Sequence, residues 1–228
     1  MKRFLGLTLA ATAGLLLVTA ATAAPLRIRG TVVAISSDAL TVHTANGDVS
    51  ASLKGDTAFV TVVPSSLDHV ATGSYVGAAS KNAGDKLIAL SLIVFPPSMK
   101  GASEGHAAYD VLPDTTLSGG ARTASSMTNA SVKTISTRKG APRVNSTMTN
   151  GSVATATASG DVRLLTVTYK GGEQNILVPP TAPIVAFVPG TMSIVKPGAA
   201  VFVQADRTDG KTTAGLVAVG SHGLTPPF

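Results

Sequence analysis

From Leu26 onward apolar positions alternate with polar ones, the period of strands buried on one face. Leu26, Ile28, Val32 and Ala34 mark a first strand, with Gly30 at a place suited to a bulge. Ser36-Ser37-Asp38 makes a turn, and Leu40, Val42 and Thr44 carry a second strand. Asn46-Gly47 predicts a type I′ hairpin, because both residues tolerate positive φ. Val49, Ala51 and Leu53 then alternate on a third strand. Thr57 to Val63 is a short apolar run stopped by Pro64, and Ser65-Ser66 predicts the cap of a short helix through about Val70. Tyr75 to Ala79 and Leu87 to Phe95, joined by Asn82-Ala83-Gly84-Asp85, make a fourth and a fifth strand.

The same pattern returns 125 residues later. Leu40-Thr41-Val42 falls on Leu165-Thr166-Val167, Gly47 on Gly172, Val63-Pro64 on Val188-Pro189 and Gly73 on Gly198. Ten of the 37 positions from Leu40 to Val76 are identical at this offset, without a gap. A fixed period of this kind marks one supersecondary unit used more than once. The second copy is expected to open near Met148, to turn at Gly171-Gly172, to hold a helix near Met192 to Val195 and to end near Val219. Five short strands with a helix between the third and fourth is the order of an OB-like barrel. The expected fold is therefore all-β, with two tandem OB-like five-stranded barrels at 24–96 and 147–228. Two packed barrels and two independent domains on a flexible linker both fit the pattern.

What precedes the first strand has another character. Lys2 and Arg3 lead an apolar run from Phe4 to Val18, and Ala21-Thr22-Ala23 fits the A-x-A cleavage pattern of a secretory signal peptide. Residues 1–23 are expected to be removed, which predicts a periplasmic or secreted protein. The run is too short for a membrane span of about 20 residues, and no other long apolar run follows, so no spanning segment is expected. The chain has no cysteine, which excludes disulfides and thiol catalysis. With no Trp, three Tyr and six Phe, its core has to come from Val, Ile, Leu and Ala.

The middle of the chain, 97–146, breaks the pattern. From Thr115 to Asn150, twenty of 36 residues are Ser, Thr, Asn or Gly, a composition that predicts a loop or linker without a core. From Thr115 to Gly160 there are five cations (Arg122, Lys133, Arg138, Lys139 and Arg143) and no acid. This linker, with Arg27 and Arg29 on the first strand, could meet an anionic envelope component through charge alone. Met127-Thr128-Asn129-Ala130-Ser131-Val132 recurs as Met148-Thr149-Asn150-Gly151-Ser152-Val153. The opening of the second barrel is thus present twice, and Ala130 to Thr137 is a spare strand able to compete for the same edge.

The pattern FP-x-x-MKG-x-x-EGH-x-x-YD, then MTN-x-xV and a terminal GL-x-PP, resembles an uncharacterised family of exported bacterial proteins. It is carried by Phe95, Pro96, Met99, Lys100, Gly101, Glu104, Gly105, His106, Tyr109 and Asp110, then Met148, Thr149, Asn150 and Gly223 to Pro227. The resemblance implies an OB-like domain of unknown function, with no established activity and no cofactor. Similar proteins are often labelled metal transporter permeases. A permease needs several membrane spans, and the chain shows none after its N-terminal run.

Two chemistries are suggested by the same stretch. Gly101-Ala102-Ser103-Glu104-Gly105 matches the G-x-S-x-G elbow of hydrolases, but that motif needs a strand running into the turn and a helix after it. Glu104, His106 and Asp110 offer two carboxylates and an imidazole within seven residues, a partial metal site. The plainer alternative is a loop in which His106 bonds the backbone and Lys100 pairs with Glu104 or Asp110. Specific nucleic-acid binding is not expected, since Tyr75 and Phe59 read as core residues and no aromatic pair alternates with Lys or Arg. The expected role is a non-catalytic binding or structural module of the cell envelope. Lys100, Glu104, His106, Tyr109 and Asp110 are its candidate binding or interdomain site.

Overall fold

The computed structural model describes residues 25–117, 121–138 and 161–228. They form thirteen strands: β1 (Leu26–Ile35), β2 (Ala39–Thr44), β3 (Gly47–Ser52), β4 (Ala58–Pro64), β5 (Tyr75–Ala83), β6 (Lys86–Val94), β7 (Gly105–Pro113), β8 (Arg122–Arg138), β9 (Val162–Tyr169), β10 (Gly172–Val178), β11 (Ile184–Gly190), β12 (Ala200–Thr208) and β13 (Lys211–Gly220). The expected all-β class holds. The helix expected after Pro64 is a single 3₁₀ turn, Leu67–His69, and Ser66 makes no side-chain cap bond to it. The apolar run before it, ended by Pro64, is a strand of its own, β4.

Two five-stranded barrels close, and neither is a contiguous stretch of chain. The first runs β1–β2–β3–β13–β12 and back to β1. The second runs β8–β9–β10–β6–β5 and back to β8. Each takes a three-stranded meander from one half of the sequence and a closing hairpin from the other. In the first barrel the order fourth–first–second–third is a Greek key, as an OB-like barrel requires, and the second repeats the arrangement with its closing hairpin, β5–β6, ahead of the meander in the chain. Residues 24–96 and 147–228 are thus not separate barrels, since their last two strands are exchanged. Between the barrels β4 pairs antiparallel with β11, and these two strands pair in parallel with β13 and β6 respectively. One hydrogen-bonded sheet of thirteen strands results.

The two barrels match in detail. Val32 of β1 donates to Ala199 and accepts from Gly198, while Val132 of β8 donates to Ser74 and accepts from Gly73. Both first strands slip register just after this valine, against β2 and β9. The first strand of the second barrel is therefore the upstream motif, Met127 to Val132. Its repeat at Met148 to Val153, where that strand was expected, lies outside the described residues. The linker reading of 115–150 is corrected over 122–138: Ala130 is fully buried and Val132 is 2% exposed. Their burial inside a barrel outweighs the polar composition of the flanks.

Alternation sorts the side chains into separate cores. Val32, Leu40, Val42, Val203 and Val217 fill the first barrel, and Val76, Leu92, Val132, Leu165 and Ile176 fill the second. A third core lies between them, with Val62, Ile93, Phe187, Phe202 and Phe228. Gly30 is not itself the bulge. It lets β2 approach, because a Cβ there would stand 1.9 Å from the His43 carbonyl oxygen. The β2–β3 turn also falls one residue earlier than expected: Thr44 pairs with Gly47, so Ala45-Asn46 form the loop, and only Gly47 takes positive φ. No helix among the described residues is long and apolar enough to cross a membrane.

Candidate functional site

The chain leaves the second barrel at Phe95 and turns at Pro97–Met99, and β7 then pairs antiparallel with β8. At the same time β7 reaches the first barrel. Asp110 stands 3.1 Å from Arg27 Nη1 and 2.6 Å from Arg29 Nη2, both on β1. The Arg27 guanidinium lies 4.2 Å from the centre of the Tyr109 ring, a cation–π contact. Arg29 also donates from Nε to the Phe228 carbonyl at 2.6 Å and from Nη2 to the Tyr109 hydroxyl at 3.4 Å. Burial pushes the Tyr109 phenol above its ordinary value, by more than Arg29 and Arg27 pull it down. Arg27 and Arg29 are therefore tied into this cluster.

The other candidate residues take separate partners. Glu104 accepts from the Lys170 amide at 3.0 Å, in the turn between β9 and β10. His106 Nδ1 meets the Thr128 hydroxyl at 2.8 Å, and its ring stacks on Tyr169 with centroids 6.4 Å apart. Lys100 is exposed, and no ion pair joins it to Glu104 or Asp110 among the described residues. Glu104, His106 and Asp110 do not converge. No group of three or more His, Cys, Asp or Glu among the described residues is placed to hold a metal. Ser103 lies in an exposed turn at φ 49°, between the Pro97–Met99 turn and β7, so the strand-to-helix frame of a nucleophile elbow is missing there. Of the linker cations, Lys133 pairs with Glu173 at 2.8 Å and Arg122 donates to the Val111 carbonyl. Lys139 and Arg143 lie outside the described residues.

Sequence reasoning missed a pocket in the seam. It opens to solvent, has a cavity volume of about 80 Å³, and is bounded by Phe95, Phe187, Phe202 and Phe228 with Met99 and Met127. Tyr109, Gln204, Ser103 and Asn129 bring polar atoms to its wall. Four of the six phenylalanines in the chain therefore meet here. Phe187 stands edge-on to Phe95, centroids 5.3 Å apart at 88°, and Phe228 stands edge-on to Phe202, 5.0 Å apart at 78°. Tyr75 packs against Phe95, centroids 5.3 Å apart, and is only 3% exposed, with its hydroxyl donating to the Ala102 carbonyl at 2.9 Å. Burial, with Glu104 adding repulsion, pushes its pKa up to about 12. Asn129 donates to the Ser103 carbonyl at 3.1 Å. Its own carbonyl oxygen is buried over Gly77, where a Cβ would come within 2.6 Å. The pocket walls come from strands of both barrels, which is why no short motif encodes it.

No protein-family profile, no curated protein and no solved structure matches the chain.

Proposed function

We propose that this protein is an exported, non-catalytic binding module of the bacterial cell envelope, with its ligand site in the seam between the two barrels. The observation that carries this reading is the open aromatic pocket. Both barrel interiors are filled by their own Val, Leu and Ile side chains, whereas the seam keeps an open space of about 80 Å³ with mainly apolar walls. Concave, mostly apolar space with a few polar groups at its wall is what small-molecule sites offer. The β7 clamp supports the same reading, since it holds the two walls of the pocket together through Asp110.

Export is supported by Lys2-Arg3, the apolar run Phe4 to Val18 and the Ala21-Thr22-Ala23 pattern. The 125-residue match, together with barrels built alike from exchanged halves, supports an origin by internal duplication. Native mass spectrometry of the protein recovered from its own compartment tests the binding reading. A bound small molecule is the expected result, and a bare polypeptide mass throughout the recovered material would remove it. N-terminal sequencing of the same sample is expected to begin at Ala24, and a chain still beginning at Met1 would refute export by cleavage.

A further inference from the structure

We propose that the second barrel can exchange its first strand, with residues 143–159 taking the place of β8 (Arg122–Arg138), a shift of 21 residues along the chain. The exchange is independent of the reading of the seam as a ligand site.

The chain carries a second copy of the strand. Laid on β8 at this offset, residues 143–159 are identical at eight of seventeen positions, including Met148-Thr149-Asn150 and Ser152-Val153. The matches fall where β8 is held. Its buried side chains are Thr128, Ala130 and Val132, and the copy offers Thr149, Gly151 and Val153. The one change, alanine to glycine, is already accommodated at this place in the first barrel. There Gly30 stands opposite Val201 as Ala130 stands opposite Val76. The polar ties are repeated too. Thr128 meets His106 Nδ1 at 2.8 Å, Asn129 donates to the Ser103 carbonyl at 3.1 Å, and Arg122 donates to the Val111 carbonyl. Thr149, Asn150 and Arg143 carry the same groups at the same spacing.

The connection to β9 points the same way. β8 runs antiparallel to β9, with Arg138 opposite Val162. After the shift Ser159 takes the place opposite Val162, and only Gly160-Asp161 is left between the strands. A two-residue Gly-Asp connection is one that closes a hairpin, with glycine at the first turn position. The displaced 21 residues join the connection from β7, and closure entropy grows only slowly with loop length. Shared Ser and Thr content accounts for some identities between the copies, but not for a hairpin turn at the spacing that the register demands.

What the copy lacks sets the balance. Ile135, packed on the second core, and Lys133, paired with Glu173, are replaced by Ala156 and Ala154. The copy buries less apolar surface, so β8 is the favoured occupant and the copy the minor one. The result is a two-state element, in which Arg122–Arg138 is either barrel wall or part of the connection after β7.

The full chain, which has no cysteine of its own, tests this by disulfide trapping. Ser131 stands opposite Thr168, so Ser131→Cys with Thr168→Cys is the reference crosslink. Ser152 is the copy's counterpart of Ser131, and Ser152→Cys with Thr168→Cys is expected to crosslink as well, more slowly. Thr147→Cys with Thr168→Cys, out of register in the exchanged strand, should crosslink at least about ten-fold more slowly still. Equal trapping at positions 147 and 152 would overturn the exchange.

A second set of variants reads the same balance through folding. Val132→Asp puts a charge into the barrel core and disables β8. It is expected to keep a cooperative thermal transition and to raise the Ser152–Thr168 crosslink to the reference rate. Val153→Asp alone should leave the transition unchanged, while Val132→Asp with Val153→Asp should lose it in the second barrel. If Val132→Asp and the double variant behave alike, whether folded or unfolded, β8 has no substitute and the proposal falls.

Discussion

Asp110 on β7 stands 2.6 Å from Arg29 on β1, joining a strand attached to the second barrel to the opening strand of the first. Arg27 shares the same carboxylate at 3.1 Å. The three side chains are 29%, 35% and 19% exposed, so the cluster is neither a surface pair nor a buried one. Asp110→Asn removes the shared charge and leaves two guanidiniums facing each other. The expected loss is about 1–2 kcal/mol, between the values typical of exposed and buried pairs. Urea unfolding at low and high salt checks it, with the loss shrinking as salt screens the pair. A loss below about 0.3 kcal/mol at low salt would mean that the clamp is not holding the barrels.

A second ion pair makes stability depend on pH. Asp114, 5% exposed, accepts from Lys81 Nζ at 2.6 Å and from the hydroxyl and amide of Thr116. Burial pushes its carboxyl up, but the bonds from Lys81 and Thr116 outweigh this and hold it below the usual aspartate value. A depressed folded pKa adds stability above the unfolded value of about 3.9, and that stability is lost as the pH falls through the folded value. Asp114→Asn should therefore cost about 2 kcal/mol near neutrality. The gap to wild type should close below about pH 4. Denaturation midpoints of both proteins across that range decide it, and a gap constant down to pH 2 would contradict the assignment.

Gly30 and Ala130 hold the same place in the two barrels, opposite Val201 and Val76. Ala130 fits there fully buried, whereas a Cβ on Gly30 would meet the His43 carbonyl oxygen at 1.9 Å. The obstacle is backbone, so β2 itself has to move. Gly30→Ala is expected to cost about 2–3 kcal/mol by overpacking. The damage should be local: hydrogen exchange should rise across β1 and β2 and stay unchanged in β8 and β9. Equal loss of protection in both barrels would show that they unfold as one unit.

The strands of each half were legible because they alternate, and the 125-residue offset placed β2, β3, β5 and β6 on β9, β10, β12 and β13. Their pairing was not legible. Alternation says which face of a strand is buried but not which hairpin closes the barrel, and a barrel closed by its own half buries the same residues as one closed by the other. Composition hid β8, whose buried Ala130 and Val132 sit among Ser and Thr, with Thr128 buried on the same face. In the site, His106 and Glu104 stood out as ionisable groups, but His106 binds Thr128 on β8 and Glu104 the Lys170 amide in the β9–β10 turn. Arg27 and Arg29 stood out as cations, but their partner Asp110 lies more than 80 residues away, beyond any local pattern. The phenylalanine pocket was harder still, since Phe187 and Phe202 sit on strands of one half and Phe95 on the other.

The exchange of hairpins makes the two halves inseparable. Residues 25–138 supply β1, β2 and β3 to the first barrel and β5, β6 and β8 to the second, and residues 161–228 supply the remaining two strands of each. Neither piece can close a barrel alone, and each would expose the apolar face that its partner covers. The two pieces, co-expressed as separate chains, are expected to copurify as a one-to-one complex with the β-sheet content of the intact protein. Each expressed alone should be insoluble or lack a cooperative thermal transition. Tethering raises the effective concentration of the halves, so the complex should melt lower than the intact chain and rise with protein concentration. Barrels closed within their own halves would behave otherwise: residues 25–100 alone would then fold cooperatively as a monomer, and that single result would refute the exchanged pairing.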